Sequence, residues 1–286
     1  MDSTDQGAAQ AGPVQAGPGK PATAARMYDY WLGGWHNFPA DQEAARRILE
    51  LYPDAALGAQ SNRAFMRRAV RYLTRAGIRQ FLDIGSGIPT QGNVHEIAQQ
   101  AAPESRVVYV DIDTVAVGES QELLKGNPAA TAIRADLRDP GAILADPRLR
   151  ELLDLGQPTG LLLCAVLHFI PDDDHPHALV AELVDALAPG SYLAISHVAT
   201  EAVGPESTSY QNATGVYRRR TTTGVTARGR AEVEDFFTGL DLVEPGVVWH
   251  PLWHPEPGAH DPFETEPERS LGWAGVARKP ASAGSA

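Results

Sequence analysis

The sequence predicts an α/β protein with a mostly parallel sheet, helices on both faces of that sheet, and a helical cap in front of it. Two observations support this fold class. After Gly77 short apolar runs alternate with helical patterns, and the runs are apolar throughout rather than at every second position. Such strands, joined by crossover helices, are typical of parallel sheets that are buried on both faces. With 286 residues, the chain has room for one large α/β domain or two small ones.

Two regions precede the predicted sheet. Residues 1–23 are rich in Ala, Gly, Pro, Gln, Ser and Thr and have little to bury, so we expect a disordered tail there. Residues 24–286 are expected to form one domain. Its first part, residues 24–76, is the predicted cap: a short aromatic helix that ends at Gly33–Gly34, a second helix from Asp41 and a third over Ser61–Arg75. The third helix carries an arginine at every fourth residue; this row could bind an anion, but we favour a solvated face.

Residues 77–200 contain the predicted parallel strands and their crossover helices. Strands are expected at Phe81–Ile84, Val107–Val110, Thr131–Ile133, Leu161–Val166 and Tyr192–Ile195. The intervening helices are expected at Gly92–Ala101, Val115–Leu124, Ala142–Leu153 and Pro176–Leu187.

Residues 201–280 combine a predicted lid or insertion with a C-terminal strand pair. The segment Gly204–Arg230 is interpreted either as a mobile lid or as a solvated loop. After a helix at Ala231–Thr238, the apolar runs Leu242–Trp249 and Leu271–Ala277 follow each other without an intervening helix. This arrangement predicts an antiparallel hairpin at the end of the sheet.

Composition excludes several classes of partner. A formal charge of −12 disfavours phosphate backbones and acidic membrane surfaces. The longest apolar run, Leu161–Leu167, is too short to cross a bilayer, and Cys164 has no second cysteine with which to form an intrachain disulfide. The segment His250–His254 has metal-like spacing, but Pro251 within it and Pro255 directly after it disfavour a helical metal site. We expect a cytoplasmic protein with a small or neutral partner, no nucleic acid, no membrane and no structural metal; the oligomeric state stays open.

A glycine turn after the first strand predicts a nucleotide-type ligand. Asp83 ends the strand, and the turn runs through Gly85, Ser86 and Gly87, where a missing Cβ lets a ligand approach the backbone. A dinucleotide fingerprint would have a third glycine where this chain has Thr90. A carboxylate at position 83 would repel a pyrophosphate, but it can accept hydrogen bonds from an ammonium group. The turn therefore favours a nucleoside that carries an amino-acid tail.

Acidic residues at the ends of the next two strands extend this prediction. Asp111 is placed to accept the hydroxyls of an adenosine ribose, with Asp113 as a rival that we, like Asp139, favour as a helix N-cap. Asp136 could accept the adenine amino group while Leu137 packs on the ring. Ile112, Ala165 and Val166, beside these strand ends, complete the cofactor contacts that we expect along the sheet.

With these residues in place, the chain resembles the class I S-adenosylmethionine-dependent methyltransferases and, more narrowly, a bacterial S-adenosyl methyltransferase family. The resemblance covers residues 24–280. Its marks are TyrAspTyrTrpLeuGlyGly from Tyr28, SerAsnArgAlaPhe from Ser61, PheLeuAspIleGlySerGlyIleProThr from Phe81, AlaValLeuHisPheIlePro from Ala165 and ProGlySerTyrLeuAlaIleSerHis from Pro189.

The resemblance implies a Rossmann-like, seven-stranded sheet with its last pair reversed, and S-adenosyl-L-methionine as the cofactor. It also implies that Asn62 and Arg63 meet the methionine carboxylate. The chain departs from the wider superfamily in lacking the third glycine of the turn. The aromatic residues Tyr28, Tyr30, Trp31 and Phe38 either close over the cofactor or pack the cap helices.

The expected reaction is transfer of the methyl group to an oxygen or nitrogen of a small-molecule acceptor that the sequence does not identify. His168, just after the fourth strand, is the first candidate for the base that removes the acceptor's proton, and His197, just after the fifth strand, is the second. Two alternatives are a cofactor-binding regulator without turnover and, less favoured, a nicotinamide-dependent oxidoreductase.

Overall fold

A computed structural model describes residues 21–88, 92–220, 224–258 and 260–281. Eight strands form one sheet: β1 Gln80–Ile84, β2 Arg106–Asp111, β3 Ala130–Arg134, β4 Gly160–Cys164, β5 Tyr192–Val198, β6 Asp241–Leu242, β7 Val248–Trp249 and β8 Gly272–Arg278. The spatial order is β3-β2-β1-β4-β5-β8-β6, and β7 also pairs with β8. Strands β1 to β5 are parallel, whereas β8 runs antiparallel to β5, β6 and β7.

The predicted α/β fold class is confirmed, and each of the five predicted parallel strands is present. The sheet differs from the prediction in having eight strands rather than seven. The apolar run Leu242–Trp249 was predicted as one strand, but Pro245 and the positive φ of Gly246 interrupt it. Because proline cannot donate to a strand ladder, only the two ends of this run, β6 and β7, pair with β8.

Eleven α-helices lie in the described part of the chain. They are α1 Ala24–Trp31, α2 Pro39–Leu51, α3 Ala55–Arg75, α4 Val94–Ala101, α5 Thr114–Leu123, α6 Pro140–Ala145, α7 Pro147–Leu152, α8 Pro176–Asp185, α9 Thr200–Val203, α10 Thr208–Arg220 and α11 Arg230–Asp235. Within that same part, no helix has the length and apolar character needed to span a membrane.

The helices depart from the prediction in two places. The helix expected over Ala142–Leu153 is two helices, because Pro147 lacks an N–H and disfavours helical geometry at Asp146. Helix α3 begins at Ala55, six residues before the predicted start.

The core is built on the two faces of the sheet. On one face Leu82, Ile84, Leu161 and Leu163 pack with residues of α8, and on the other Phe81 and Leu162 pack with residues of α3 and α4. The predicted cap of residues 24–76 is therefore divided. Helix α3 covers the sheet, whereas α1 and α2 form a separate apolar cluster with α10.

Helix α10 lies in the segment that was interpreted as a mobile lid or a solvated loop. In the structure it is a 13-residue helix, and Ala213, Val216 and Tyr217 on one of its faces are buried against the cap. Because residues three and four apart share one side of a helix, these apolar residues place one face of α10 against the cap, while Gln211 and Asn212 remain exposed. Residues 224–229 of the same segment are not helical.

The last residues of the predicted N-terminal tail (residues 1–23) are packed against the domain. Residues 1–20 lie outside the described part of the chain, but Ala22 is buried and the Thr23 hydroxyl accepts from the backbone N–H of Arg26 at the start of α1. Ala22 and Thr23 thus belong to the cap.

Candidate active site

A cleft of about 670 Å³ opens at the carboxyl ends of the parallel strands, beneath α1 and α10. This volume is typical of a small-molecule site. Every residue that the sequence analysis assigned to cofactor or catalysis lines it: Tyr28, Asn62, Arg63, Asp83, Gly85, Ser86, Gly87, Asp111, Ile112, Asp136, Leu137, Ala165, Val166, His168 and His197. Parallel sheets bind ligands at this edge because the strand ends and their connecting loops converge there.

The glycine turn after β1 has two glycines with different requirements. Gly85 has a φ of +74°, and a Cβ at this position would lie 2.3 Å from a methyl carbon of Val166. Gly87 has a φ of +66°, and a Cβ there would meet nothing within 4 Å. Packing against Val166 therefore requires a glycine at position 85. At position 87 the missing side chain leaves the backbone accessible from the cleft. Pro89 and Thr90, which stand where the dinucleotide comparison would have the third glycine and the residue before it, lie outside the described residues.

Asp83 is a buried carboxylate that receives no hydrogen bond from any described residue. Its exposed fraction is 4%, and no hydrogen bond or ion pair within the described residues involves its side chain. Burial raises its pKa to about 7; the Arg63 guanidinium opposes this shift and the Asp111 carboxylate adds to it. A carboxylate in this situation can bind a ligand cation, because such a ligand would supply the missing charge and donors.

Asp111 lies one strand away and is held differently. Its two oxygens accept from the backbone N–H groups of Gly87 and Asp113, each at 2.8 Å. Burial raises its pKa to about 6, although these backbone hydrogen bonds oppose the shift. The hydrogen bond to Gly87 fixes the glycine turn against the end of β2, so the turn and this carboxylate form one rigid unit.

Asp113, the alternative to Asp111 as the ribose ligand, has a structural role. It caps α5 by accepting from the Val115 N–H, which confirms the N-cap prediction. Its carboxylate also accepts from the Thr23 hydroxyl and forms a buried ion pair with Arg26, whose guanidinium additionally pairs with Asp41. Asp113 therefore ties the cap to the sheet. The predicted N-cap at Asp139 is likewise present, accepting from Ala142.

The end of β3 contributes an apolar side chain and an acidic one that already has a partner. Leu137 is buried at the cleft wall. Asp136 forms a two-point ion pair with Arg138, with a shortest distance of 2.6 Å. Although partial burial acts in the opposite direction, the hydrogen bonds and charge of Arg138 lower the pKa of Asp136. Ile112 lines the cleft with 47% of its surface exposed.

A chain of hydrogen bonds joins the cap to the ends of β4 and β5. The Asn62 amide donates to the Tyr28 hydroxyl at 2.9 Å and its carbonyl accepts from Ser196 at 2.5 Å; Ser196 in turn accepts from the Ala165 N–H at 2.9 Å. Ala165 has a φ of +55°, a strained value for a residue other than glycine. These contacts hold the strained turn after β4 in place at the cleft.

Arg63 corrects the interpretation of the arginine row on α3 as a solvated face. It is 9% exposed, lines the cleft and donates to the Met66 sulfur at 3.5 Å. Arg71 and Arg79, farther along the helix and past its end, form ion pairs on the surface. The four-residue spacing predicted that these arginines share one face of the helix. It could not show that the N-terminal half of α3 lines the cleft.

His168 lies in a 3₁₀ turn, Leu167–Phe169, directly after the strained turn at β4. It is 6% exposed, and neither ring nitrogen has a hydrogen-bond partner within the described ranges. Burial lowers its pKa well below the ordinary value, and His197, Arg228 and His250 add to that effect. The imidazole is therefore neutral at pH 7 and retains a lone pair.

His197, by contrast, uses both of its ring nitrogens. Nδ1 lies 2.9 Å from the Val198 carbonyl oxygen, and Nε2 lies 2.9 Å from the Arg228 guanidinium. A carbonyl only accepts and an arginine only donates, so Nδ1 carries the proton and the Nε2 lone pair is occupied. Burial lowers the pKa of His197 to about 3. Arg228 also donates to the carbonyls of Leu167 and Ile170, so this pair supports the turn that carries His168.

The far end of the cleft was not predicted from the sequence. It is lined by Tyr52, Phe169, Tyr210, Ala213, Thr214 and Tyr217, which we call the apolar chamber. The available signal was the spacing of Tyr210, Ala213 and Tyr217, which places one side of a helix in an apolar environment. Of the N-terminal aromatic residues, Tyr28 and Trp31 line the cleft, whereas Tyr30 and Phe38 contact Arg46 and Arg26 in the cap.

Comparison with known proteins identifies the family of the chain. The profile of an S-adenosyl methyltransferase family matches residues 16–280. The structure of a candidate methyltransferase from Thermobifida fusca is 40% identical, with a TM-score of 0.83 over 92% of this chain and 96% of that one. A DUF574 family protein from Streptomyces avermitilis is 42% identical, with a TM-score of 0.85 over 91% and 98%.

More distant structures share only the fold. An O-methyltransferase family protein from Burkholderia thailandensis is 13% identical, with a TM-score of 0.52, and the match spans 84% of this chain and 63% of that one. No protein of curated function matches the chain. The family profile and the two similar structures together show that the chain belongs to the S-adenosyl methyltransferase family and is an S-adenosylmethionine-dependent methyltransferase.

Proposed function

We propose that the chain methylates an oxygen or nitrogen atom of a small-molecule acceptor. One observation carries the proposal: the Asp83–Asp111 acid pair and the neutral imidazole of His168 line the same cleft. S-adenosylmethionine, when bound, supplies a methyl group on a positively charged sulfur, which becomes a neutral thioether as the acceptor takes the methyl group. The protein has to hold both molecules in line and receive one proton.

The acidic end of the cleft suits the cofactor. Asp111 would accept the ribose hydroxyls, since its oxygens each make one hydrogen bond and can accept more. Asp83 would accept from the ammonium group of the methionine tail, beside the open face of Gly87. Ile112 and Leu137 would pack on the adenine ring, and Asn62 and Arg63 would lie near the tail carboxylate.

His168 is the proposed base. Because burial keeps it neutral and no described residue hydrogen-bonds to its ring, it can accept the acceptor's proton as the new bond to carbon forms. His197 is a weaker candidate, since Arg228 occupies its unprotonated nitrogen. We assign His197 as a positioning residue that, through Arg228, supports the turn of His168.

Two measurements test this function. Calorimetry with S-adenosylhomocysteine should show saturable binding. Incubation with methyl-deuterated S-adenosylmethionine and a metabolite extract, followed by mass spectrometry, should reveal a product that carries the labelled methyl group. Binding without any labelled small-molecule product across diverse extracts would contradict the proposed reaction.

A further inference from the structure

The cleft separates its charged residues from its uncharged ones. Its charged lining residues lie on α1, on α3 and at the ends of β1, β2 and β3: Arg26, Arg63, Asp83, Asp111, Asp113, Arg134, Asp136 and Arg138. The part of the lining that comes from α2, α9 and α10, as far as these helices are described, contains no charged side chain. A charged group in the apolar chamber would therefore lose water without gaining an opposite charge, which is costly.

The chamber is lined by aromatic rings, and two of its tyrosine hydroxyl groups are bonded to the backbone. The Tyr52 hydroxyl donates to the Val203 carbonyl at 2.9 Å. The Tyr210 hydroxyl donates to the Val225 carbonyl and accepts from the Ala227 N–H. Backbone groups thus occupy both hydroxyls. The rings of Phe169 and Tyr217 lie 5.8 Å apart at 52° and continue this surface.

Besides the two ring nitrogens of His250, which also lines the cleft, two groups in the described chamber and beside it are polar and lack a hydrogen-bond partner. One is the His168 ring, which lies 4.3 Å from the ring of Phe169 between centroids. The other is the buried hydroxyl of Thr214 on α10, which has no hydrogen-bond partner within the described residues. Buried polar atoms in this state are expected to receive a partner from a ligand.

We propose, building on the function above, that the acceptor is an uncharged aromatic molecule with a hydroxyl group, bound in the apolar chamber under α10. Its ring system lies among the aromatic rings, and the hydroxyl to be methylated lies at His168. A second polar group, where the acceptor has one, meets Thr214. Helix α10 is then the element that determines specificity.

Two matched probes test the charge requirement on the unaltered protein. With S-adenosylhomocysteine saturating, 2-naphthol, which is neutral at pH 7, should bind saturably, measured by its fluorescence. The anion 2-naphthoate has the same rings, and it should bind at least about 10-fold more weakly because its charge loses water without compensation. Equal or tighter binding of 2-naphthoate, or the absence of saturable 2-naphthol binding, would overturn the proposal.

A pair of variants on α10 tests the location. Ala213 is buried and lines the chamber, so Ala213→Phe should fill it and weaken 2-naphthol binding at least about 10-fold. Gln211, two residues earlier, is exposed, and Gln211→Phe should leave binding within about 2-fold. Unchanged 2-naphthol binding by a folded Ala213→Phe protein would refute the location.

Affinity for S-adenosylhomocysteine separates this proposal from the proposed function. If the cofactor product binds normally but the naphthol tests fail, only the acceptor class is wrong. If the cofactor product itself does not bind, the proposed function fails as well. Should Ala213→Phe not fold, Ala213→Leu provides a smaller change, and the comparison of the two probes does not depend on either variant.

Discussion

The two ends of the cleft are both buried, but burial acts on opposite types of residue. At the cofactor end it raises the pKa of Asp83 to about 7 and that of Asp111 to about 6. Beside the apolar chamber it lowers the pKa of His168 well below its usual value. In each case burial disfavours the charged form. Burial thus keeps the imidazole neutral at one end, and at the other it leaves carboxylates whose ionised form needs the opposite charge that a cationic ligand would supply.

The largest expected effect is the loss of turnover when His168, beside the apolar chamber, is replaced. His168→Ala should lower turnover about 10²-fold or more, because it removes the proton acceptor. Affinity for S-adenosylhomocysteine should stay within about 2-fold, since the acid pair is intact. The measurement is the initial rate of labelled product formation together with calorimetry.

His260→Ala is a suitable control for that variant, because His260 is 86% exposed on the surface. A His168→Ala enzyme with a near-normal rate would assign His168 to structural support rather than catalysis.

The next effect is expected at the acidic end. Asp111→Ala should weaken binding of S-adenosylhomocysteine by about 1–3 kcal/mol, which is about 5- to 150-fold in Kd, because the ribose would lose its charged acceptor. Calorimetry measures this directly. Asp139→Ala removes an exposed helix N-cap that does not line the cleft and serves as the control. An Asp111→Ala protein with unchanged affinity would remove Asp111 from the cofactor site.

The smallest expected effect is the number of protons that the protein releases when S-adenosylmethionine binds. With a pKa of about 7, Asp83 is half protonated at pH 7 before a ligand binds. A cationic ligand lowers that pKa, so binding of S-adenosylmethionine at pH 7 should release about half a proton. As the pH rises above 7, Asp83 is increasingly ionised before binding, so its contribution to the release should fall.

Calorimetry at one pH in phosphate and in Tris buffers gives this number, because their ionisation enthalpies differ. Asp83→Asn should abolish the release at pH 7. Release of the same size from the Asp83→Asn protein would mean that another group loses the proton.

The comparison also shows which parts of the molecule could be predicted from sequence. The parallel strands were predicted because each is a continuous apolar run, and the cofactor end was predicted because Asp83, Gly85 and Asp111 occupy set positions at the ends of consecutive strands. These features depend on residues that lie close together in the sequence. Asp113 could be assigned as a cap because its neighbours begin a helix.

The apolar chamber depends on contacts between distant segments, which local patterns do not contain. Tyr52 lies about 160 residues before Tyr210, yet their rings line one space. The hydrogen bond between His197 and Arg228 could not be predicted for the same reason. Arg228 lies 31 residues from His197, in a segment without a clear secondary-structure pattern. Likewise, only the folded chain shows that α3 packs on the sheet instead of belonging to the cap.

A crystal structure with S-adenosylhomocysteine tests the central claim most directly. The account predicts ribose hydroxyls at Asp111, the ammonium group at Asp83, the sulfur directed toward His168, and an open chamber beneath α10. A nucleoside bound within the chamber, or a chamber closed by the protein once the cofactor product is in place, would contradict it.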